Sequence, residues 1–324
     1  MAKENVDRTD VGTARRIAVG VDGSANATAA LEWAATQAQL TGAVLAIVTA
    51  FGPGHVFVSV KEVNRVMREH VDEATAQAKR IAPELAIASR THAGLPESVL
   101  IEESAVADLL VVGSRGRGGF TGLLLGSVSR RCVQLARCPV IVVGQHRQAP
   151  ATDGTDRNRS GIPPGTGTIN FPKEGALMTT SAETDRRIVV GVDGSKSSIA
   201  ALEWAATEAE LTGAGLKVLM TWEWPISYGW ALSVPSDYDP THESEKLLGD
   251  LLQPIREAHP GVSIASTVVE GHPSPVLVEA SQGADLLVVG SRGHGEFAGM
   301  LLGSVSEHCV SNAHCPVLVM RDGK

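Results

Sequence analysis

The sequence predicts an α/β protein made of two tandem, doubly wound domains, each with a five-stranded parallel sheet. Three observations predict it. Apolar runs of strand length alternate with segments of helical period along the chain. Those runs are unbroken Val, Ile and Leu, the pattern of strands buried on both faces of a parallel sheet. The chain also repeats itself: Ala107–Ser129 returns as Ala284–Ser306 with 19 of 23 positions identical, and Arg15–Leu45 returns as Arg186–Leu216 with 23 of 31 identical.

In the first copy, Arg16–Val21 reads as a short buried strand and Ser24 as the N-cap of a helix. Leu31, Trp33, Ala34 and Ala38 then recur at helical spacing up to Gly42. Val44–Thr49 is the second strand, Val60–Ile81 a helix ending before Pro83, and Leu85–Thr91 the third strand. Pro96–Ser104 opens with Pro in its first turn, as a short helix does. Asp108–Val112 is the fourth strand; a glycine-rich loop, a helix from Ser127 and a last strand at Val140–Val143 follow.

The second copy gives the same order: Ile188–Val192, Lys196–Thr212, Leu216–Trp222, Glu243–Ala258, Val262–Val269, Ser274–Ser281, Leu286–Val289, Ser304–Ala313 and Val317–Met320. Right-handed crossovers between parallel strands then give a Rossmann-like layered domain in each half. The repeat offset is 171 residues at Asp22 and Asp193 but 177 at Gly113 and Gly290, so the second copy carries six extra residues between them.

These limits divide the chain into a polar disordered tail (1–14), a first domain (15–145), a linker (146–185) and a second domain (186–324). The linker is rich in Pro, Gly, Thr, Ser and charge and offers little apolar surface to offset its ordering entropy, so it reads as flexible. Its tether of about 40 residues has an r.m.s. span of roughly 35 Å, long enough for the two copies to pair within one chain.

With 324 residues, 43% apolar and 20% charged, the chain has room for two soluble domains, each with a proper core. A net charge of −8 argues against a nucleic-acid partner, because backbone binding needs a basic face. No apolar run reaches the length of a membrane span, and the opening MAKENVDRTDVGTARR lacks the apolar stretch of a secretory signal. Cys132, Cys138, Cys309 and Cys315 form no dense disulfide framework, which suits a reducing cytoplasm. His308-Cys309 and His314-Cys315 look metal-like, but the first copy has Arg131-Cys132 and Arg137-Cys138 there, so the four thiols read as small buried residues and no metal site is assigned.

The chemistry concentrates in the loop after the fourth strand, spaced Gly113-x2-Gly116-x9-Gly126-Ser127 and again Gly290-x2-Gly293-x9-Gly303-Ser304. Gly113 ends a strand where a ligand would lie against bare backbone, and Gly116 turns the chain with its N–H groups inward, with a positive φ in view. Gly126-Ser127 starts a helix whose unpaired N–H groups and dipole favour phosphate. Ser127 and Ser129 would add hydroxyl donors, and Arg115 and Arg117 would neutralise phosphate charge. The loop has no Gly-Lys-Ser/Thr and no Gly-x-Gly-x-x-Gly, so it is neither a Walker A nor a dinucleotide loop.

With Val-Gly-Val-Asp-Gly-Ser at the first strand end, Ala-Leu-Glu-Trp-Ala in the first helix and the Gly-2x-Gly-9x-Gly-Ser loop, the chain resembles the universal stress protein family, and more closely its tandem ATP-binding type found in actinobacteria. The resemblance implies a sheet order of 3-2-1-4-5 in each domain, with ATP across the carboxyl ends of the first and fourth strands. It puts Gly20, Val21 and Asp22, and likewise Gly191, Val192 and Asp193, near adenine and ribose. Val48, Thr49, Met220 and Thr221 would flank the base.

Ribose and phosphates fall to Gly113, Ser114, Arg115, Gly116, Arg117, Gly118, Gly119, Gly126, Ser127, Val128 and Ser129. In the second copy they fall to Gly290, Ser291, Arg292, Gly293, His294, Gly295, Gly303, Ser304, Val305 and Ser306. Arg117 becomes His294 and Gly119 becomes Glu296, and a negative charge near phosphate makes the first site the tighter. The family also pairs last strands antiparallel across a pseudo-twofold axis, which implies pairing of the two domains within the chain and chain-to-chain association through another surface.

The leading functional reading is a cytoplasmic, ATP-binding regulator of stress response or growth, with two nucleotides per chain and a protein partner the sequence does not identify. No paired acids with a nucleophile, Ser-His-Asp set or metal-ligand set argues for an enzyme. Two alternatives stay open: a slow ATPase or phosphotransferase using Asp22 or Asp193 with Mg²⁺, and a chaperone-like interaction protein in which nucleotide is structural. Asp22 and Asp193 also fit as plain Asp-Gly turn residues, and Arg115 and Arg117 as solvated loop charges. Trp222, Trp224, Tyr228, Trp230 and Tyr238 cluster in the variable part of the second copy, as a lid, a second ligand surface, a subunit contact or a loop packed on its own domain.

Overall fold

The computed structural model describes residues 15–52, 60–116, 124–144, 186–224, 239–293 and 301–321. Among them the first half runs β1 (Arg16–Gly20), α1 (Ala25–Thr41), β2 (Val44–Phe51), α2 (Val60–Ile81), β3 (Ile87–Ala93), α3 (Pro96–Glu103), β4 (Leu109–Gly113), α4 (Ser127–Leu135) and β5 (Val140–Val143). The second half runs β6 (Arg187–Val192), α5 (Lys196–Thr212), β7 (Gly215–Trp222), α6 (Pro240–Ala258), β8 (Ile264–Glu270), α7 (Pro273–Ala280), β9 (Leu286–Gly290), α8 (Ser304–Asn312) and β10 (Val317–Met320). No helix among the described residues is long and apolar enough to cross a membrane.

Local chemistry sets the element ends. The Ser24 hydroxyl accepts from Ala27 N at the start of α1, and Gly42 ends the helix at φ 65°, a left-handed conformation that suits a residue without Cβ. Ser195 and Gly213 do the same for α5. The buried side of α1 is mostly alanine (Ala27, Ala30, Ala34, Ala35, Ala38), which lets the helix axis lie close to the sheet. Asp239 accepts from Thr241 N and His242 N, and Pro240 opens the first turn, so α6 begins three residues before the expected Glu243. The third strands also start later than their apolar residues suggest. Leu85 N donates to Ala82 O and Val262 N to His259 O, so both residues belong to turns and only the next residues but one begin the strands.

The sheet order is β3-β2-β1-β4-β5-β10-β9-β6-β7-β8. Each half therefore has the expected order 3-2-1-4-5 and is parallel throughout, with Ile17 registered against Leu45 on one side and Leu109 on the other. The two halves join antiparallel through β5 and β10, with Ile141 opposite Leu318 and Val142 opposite Val317. One ten-stranded sheet results. Its central strands are buried on both faces, whereas the outer strands β3 and β8 carry exposed polar residues (IASRTHA and IASTVVE) and depart from the unbroken apolar pattern, as edge strands do.

Helices α1, α2, α5 and α6 pack on one face and α3, α4, α7 and α8 on the other. Both apolar layers draw residues from both halves, so the core is continuous across the β5–β10 junction.

Candidate functional site

Strand order reverses between β1 and β4, and between β6 and β9, so a crevice opens at the carboxyl ends of each pair, the usual ligand position in an open α/β sheet. The β1 arm is an Asp-Gly turn. Gly23 takes φ 75°, and Ser24 N donates to Asp22 Oδ1 at 2.9 Å. In the second copy Gly194 takes φ 85°, and Ser195 donates to Asp193 Oδ1 through its N (3.0 Å) and Oγ (2.6 Å).

The β4 arm is stitched to this turn. Asn26 Nδ2 donates to Arg115 O at 3.1 Å, with Ser24 Oγ adding a longer bond at 3.4 Å. Ser197 Oγ donates to Arg292 O in the second copy, with Ser195 Oγ 3.2 Å from the same oxygen. Gly126 N donates to Ser114 O (2.8 Å) and Gly303 N to Ser291 O (2.7 Å), which closes each loop at its base. Ser114 and Ser291 are themselves buried and donate their N–H groups to Val143 O and Met320 O. The pair Asn26/Ser197 was not among the expected site residues; both sit in the second position of a capped helix, where a short polar side chain can reach a neighbouring loop.

The glycines divide by task. A Cβ on Gly116 would lie 2.4 Å from Asp22 Oδ2, and one on Gly293 2.4 Å from Asp193 Oδ2. Neither glycine has a positive φ, so space rather than conformation requires them, contrary to the expected backbone need. Gly113 and Gly290 answer a packing need: a Cβ there would meet the first turn of α1 at Asn26 C (2.7 Å), or of α5 at Ser197 C (2.9 Å). Gly20 and Gly191 likewise make room for the side chains of Leu100 and Leu277.

The helices behind the loops supply the anion chemistry. Gly126 and Gly303 cap α4 and α8 with extended backbone and no side-chain hydrogen bond, whereas α1 and α5 are capped by their own serines. The first N–H groups of α4 and α8, on Ser127–Val128–Ser129 and Ser304–Val305–Ser306, are thus the helix ends suited to phosphate. Ser127 and Ser304 are exposed there. Ser129 Oγ instead donates to Gly113 O at 2.6 Å and Ser306 Oγ to Gly290 O, so these two hydroxyls tie helix to strand rather than offering a donor to the crevice.

Val48, Thr49 and Met220 are buried, and Val48 O accepts from Val21 N at 2.9 Å; Thr221 is half-buried. Val192 is buried beside Met220 in the β6–β7 pairing. Arg115 and Arg292 are exposed at the rim. Arg117, Gly118, Gly119, His294, Gly295 and Glu296 lie outside the described residues, as do Tyr228, Trp230, Tyr238 and the linker. Trp222 and Trp224 stack edge to face with centroids 5.4 Å apart at the carboxyl end of β7.

Two features lie away from the crevices. A cavity of 490 Å³ sits between α1 and the amino ends of β6 and β9, against Trp33, Gln37, Arg186, Glu208 and Asp285. The four cysteines are buried, and burial pushes each thiol up to about 12, the protonated form that packs rather than reacts.

A family model described as the universal stress protein family matches residues 13–144 and again 185–321. A universal stress protein of Mycobacterium tuberculosis is 32% identical over 323 residues, covering 94% of this chain and 96% of its own. One from Mycolicibacterium smegmatis is 30% identical with the same coverage. Among solved structures, a universal stress protein from Archaeoglobus fulgidus superposes with a TM-score of 0.61 at 19% identity, covering 94% of this chain and 96% of that one, which is a likeness of fold.

Proposed function

We infer the function from one premise: the chain belongs to the universal stress protein family, in a tandem form with two family domains. Each repeat binds one adenine nucleotide, ATP, with its phosphates on the uncapped amino end of α4 or α8 and its ribose beside Asp22 or Asp193. Mg²⁺ would arrive with the phosphates and offset their charge. The observation that carries this reading is the duplicated pairing of an Asp carboxylate with a side-chain-free Gly, beside a helix start that no side chain caps.

The chemistry is binding. A nucleotide spanning the crevice touches the β1 turn and the β4 loop together, and so stabilises their joined arrangement by its own binding free energy. Occupancy then sets the shape of this surface for a protein partner, as a cytoplasmic regulator of stress response or growth requires. Chains associate with one another through a surface other than β5 and β10, because those edges already pair within the chain.

The test is mass analysis of small molecules released when the purified protein is denatured, before and after incubation with ATP. Adenine nucleotide should appear; a protein that releases none after incubation contradicts the reading. Slow ATP hydrolysis with Mg²⁺ is the second reading, its one structural support being the carboxylates of Asp22 and Asp193 that follow β1 and β6 at each crevice. Phosphate release above that of a Gly116→Ala/Gly293→Ala double variant would support it.

A further inference from the structure

The two halves meet through residues that are repeat equivalents of one another but differ in charge. Ile141 faces Leu318 across the antiparallel β5–β10 pair, and the 177-residue offset makes them the same position in the two copies. A pseudo-twofold axis therefore passes between them, and a residue near that axis faces its own counterpart.

Gln37 of α1 donates through Nε2 to Glu208 Oε1 of α5; these are equivalents at the 171-residue offset, 6% and 5% exposed. Arg130 of α4 pairs with Glu307 of α8 at 3.0 Å, again equivalents at 177. Arg321, just past β10, donates through Nη1 to Val133 O and Gln134 O at the end of α4. Its equivalent is Gly144, which has no side chain to offer α8.

Pairing like with like alters each of these, although two second copies would keep an arginine for each α8 end and two first copies an amide contact between Gln37 side chains. Two first copies would set Arg130 against Arg130 and leave both α4 ends without the arginine donor. Two second copies would set Glu307 against Glu307 and bring two buried Glu208 carboxyls together, where both cannot ionise. The half-exposed Arg130–Glu307 pair contributes little alone; most of the discrimination comes from buried Glu208, which meets a donor in the mixed pair but a second carboxyl in a pair of second copies. We propose that the β5–β10 face is an interaction surface specific for the unlike repeat, so that each half selects the other half over a second copy of itself.

The experiment starts from the folded full-length protein carrying a protease site within 146–185. After cleavage, the fragments are dissociated in mild denaturant, recombined, and counted by native mass spectrometry. The mixed pair should exceed each like pair at least about tenfold, the ratio given by one decade in dissociation constant. The variant Arg130→Gln/Glu208→Gln/Glu307→Gln should relax toward statistical proportions. Statistical proportions in the parent, or an unrelaxed excess in the variant, overturn the proposal.

A cycle in the uncut chain decides the matter should the fragments fail to recombine. Gln37→Glu, which sets two buried carboxyls together, should lower the unfolding midpoint at pH 8, and Gln37→Glu/Glu208→Gln, which restores an amide donor beside a carboxylate, should recover most of the loss. A double variant no more stable than Gln37→Glu overturns it as well.

Discussion

The Asp22 carboxylate occupies the space that a side chain on Gly116 would need: a Cβ there would stand 2.4 Å from Asp22 Oδ2, and Gly293 stands in the same relation to Asp193. Each aspartate is held by the Ser24 or Ser195 N–H on Oδ1, and the bare Cα of the loop glycine leaves room for Oδ2. The carboxylate is held at the mouth of the crevice rather than left to swing with its turn.

Gly116→Ala should therefore displace Asp22 without touching the core. The expected outcome is a loss of nucleotide affinity at the first site of about tenfold or more, equivalent to about 1.4 kcal/mol, with urea unfolding nearly unchanged. Gly293→Ala should act only on the second site. Calorimetric titration beside urea melts checks both, and unaltered binding in either variant would place the phosphates elsewhere.

Gly113→Ala should do the reverse. Its methyl would press on the backbone of Asn26, which cannot rotate away as a side-chain end can. A loss of stability of about 1–3 kcal/mol is expected from such overpacking, larger than that of Gly116→Ala. Equal urea midpoints for the two variants would show that the first turn of α1 yields easily.

Glu208 gives a pH signature. Burial raises its carboxyl above the ordinary 4.5, against the opposing influence of the Gln37 hydrogen bond and the Arg15 and Arg186 charges. A raised folded-state value means that the contribution to stability is complete below 4.5 and is lost as pH climbs through the folded value. Glu208→Gln cannot ionise, so it should match the parent near pH 4 and exceed it at pH 8. Thermal melts across that range that stay parallel would contradict the assignment.

The sequence carried the elements whose signals are local. Ser24 and Gly42 bracket α1 as their residue types predict, and the unbroken apolar runs of β1, β4 and β5 are buried on both faces. The antiparallel pairing of β5 with β10 followed from the family resemblance together with the linker's reach, whereas its register, Ile141 against Leu318, did not.

What stayed hidden depends on distant partners. Sequence shows that Gly113 and Gly20 lack a Cβ, but not that α1 and Leu100 fill the space. Ser129 reads as a donor until its bond to Gly113 O is seen, sixteen residues away. Leu85 and Val262 look like strand residues because turn and strand bury apolar side chains alike. The charge difference between Arg130 and Glu307 gains meaning only once the two are known to touch.

The central claim is that both repeats hold a nucleotide. The direct measurement is calorimetric titration of nucleotide-stripped full-length protein with ATP and Mg²⁺. Two sites per chain are predicted, the first the tighter because Glu296 replaces Gly119 in the second loop. A titration that fits one site per chain, or shows no heat at millimolar ATP, would contradict the account.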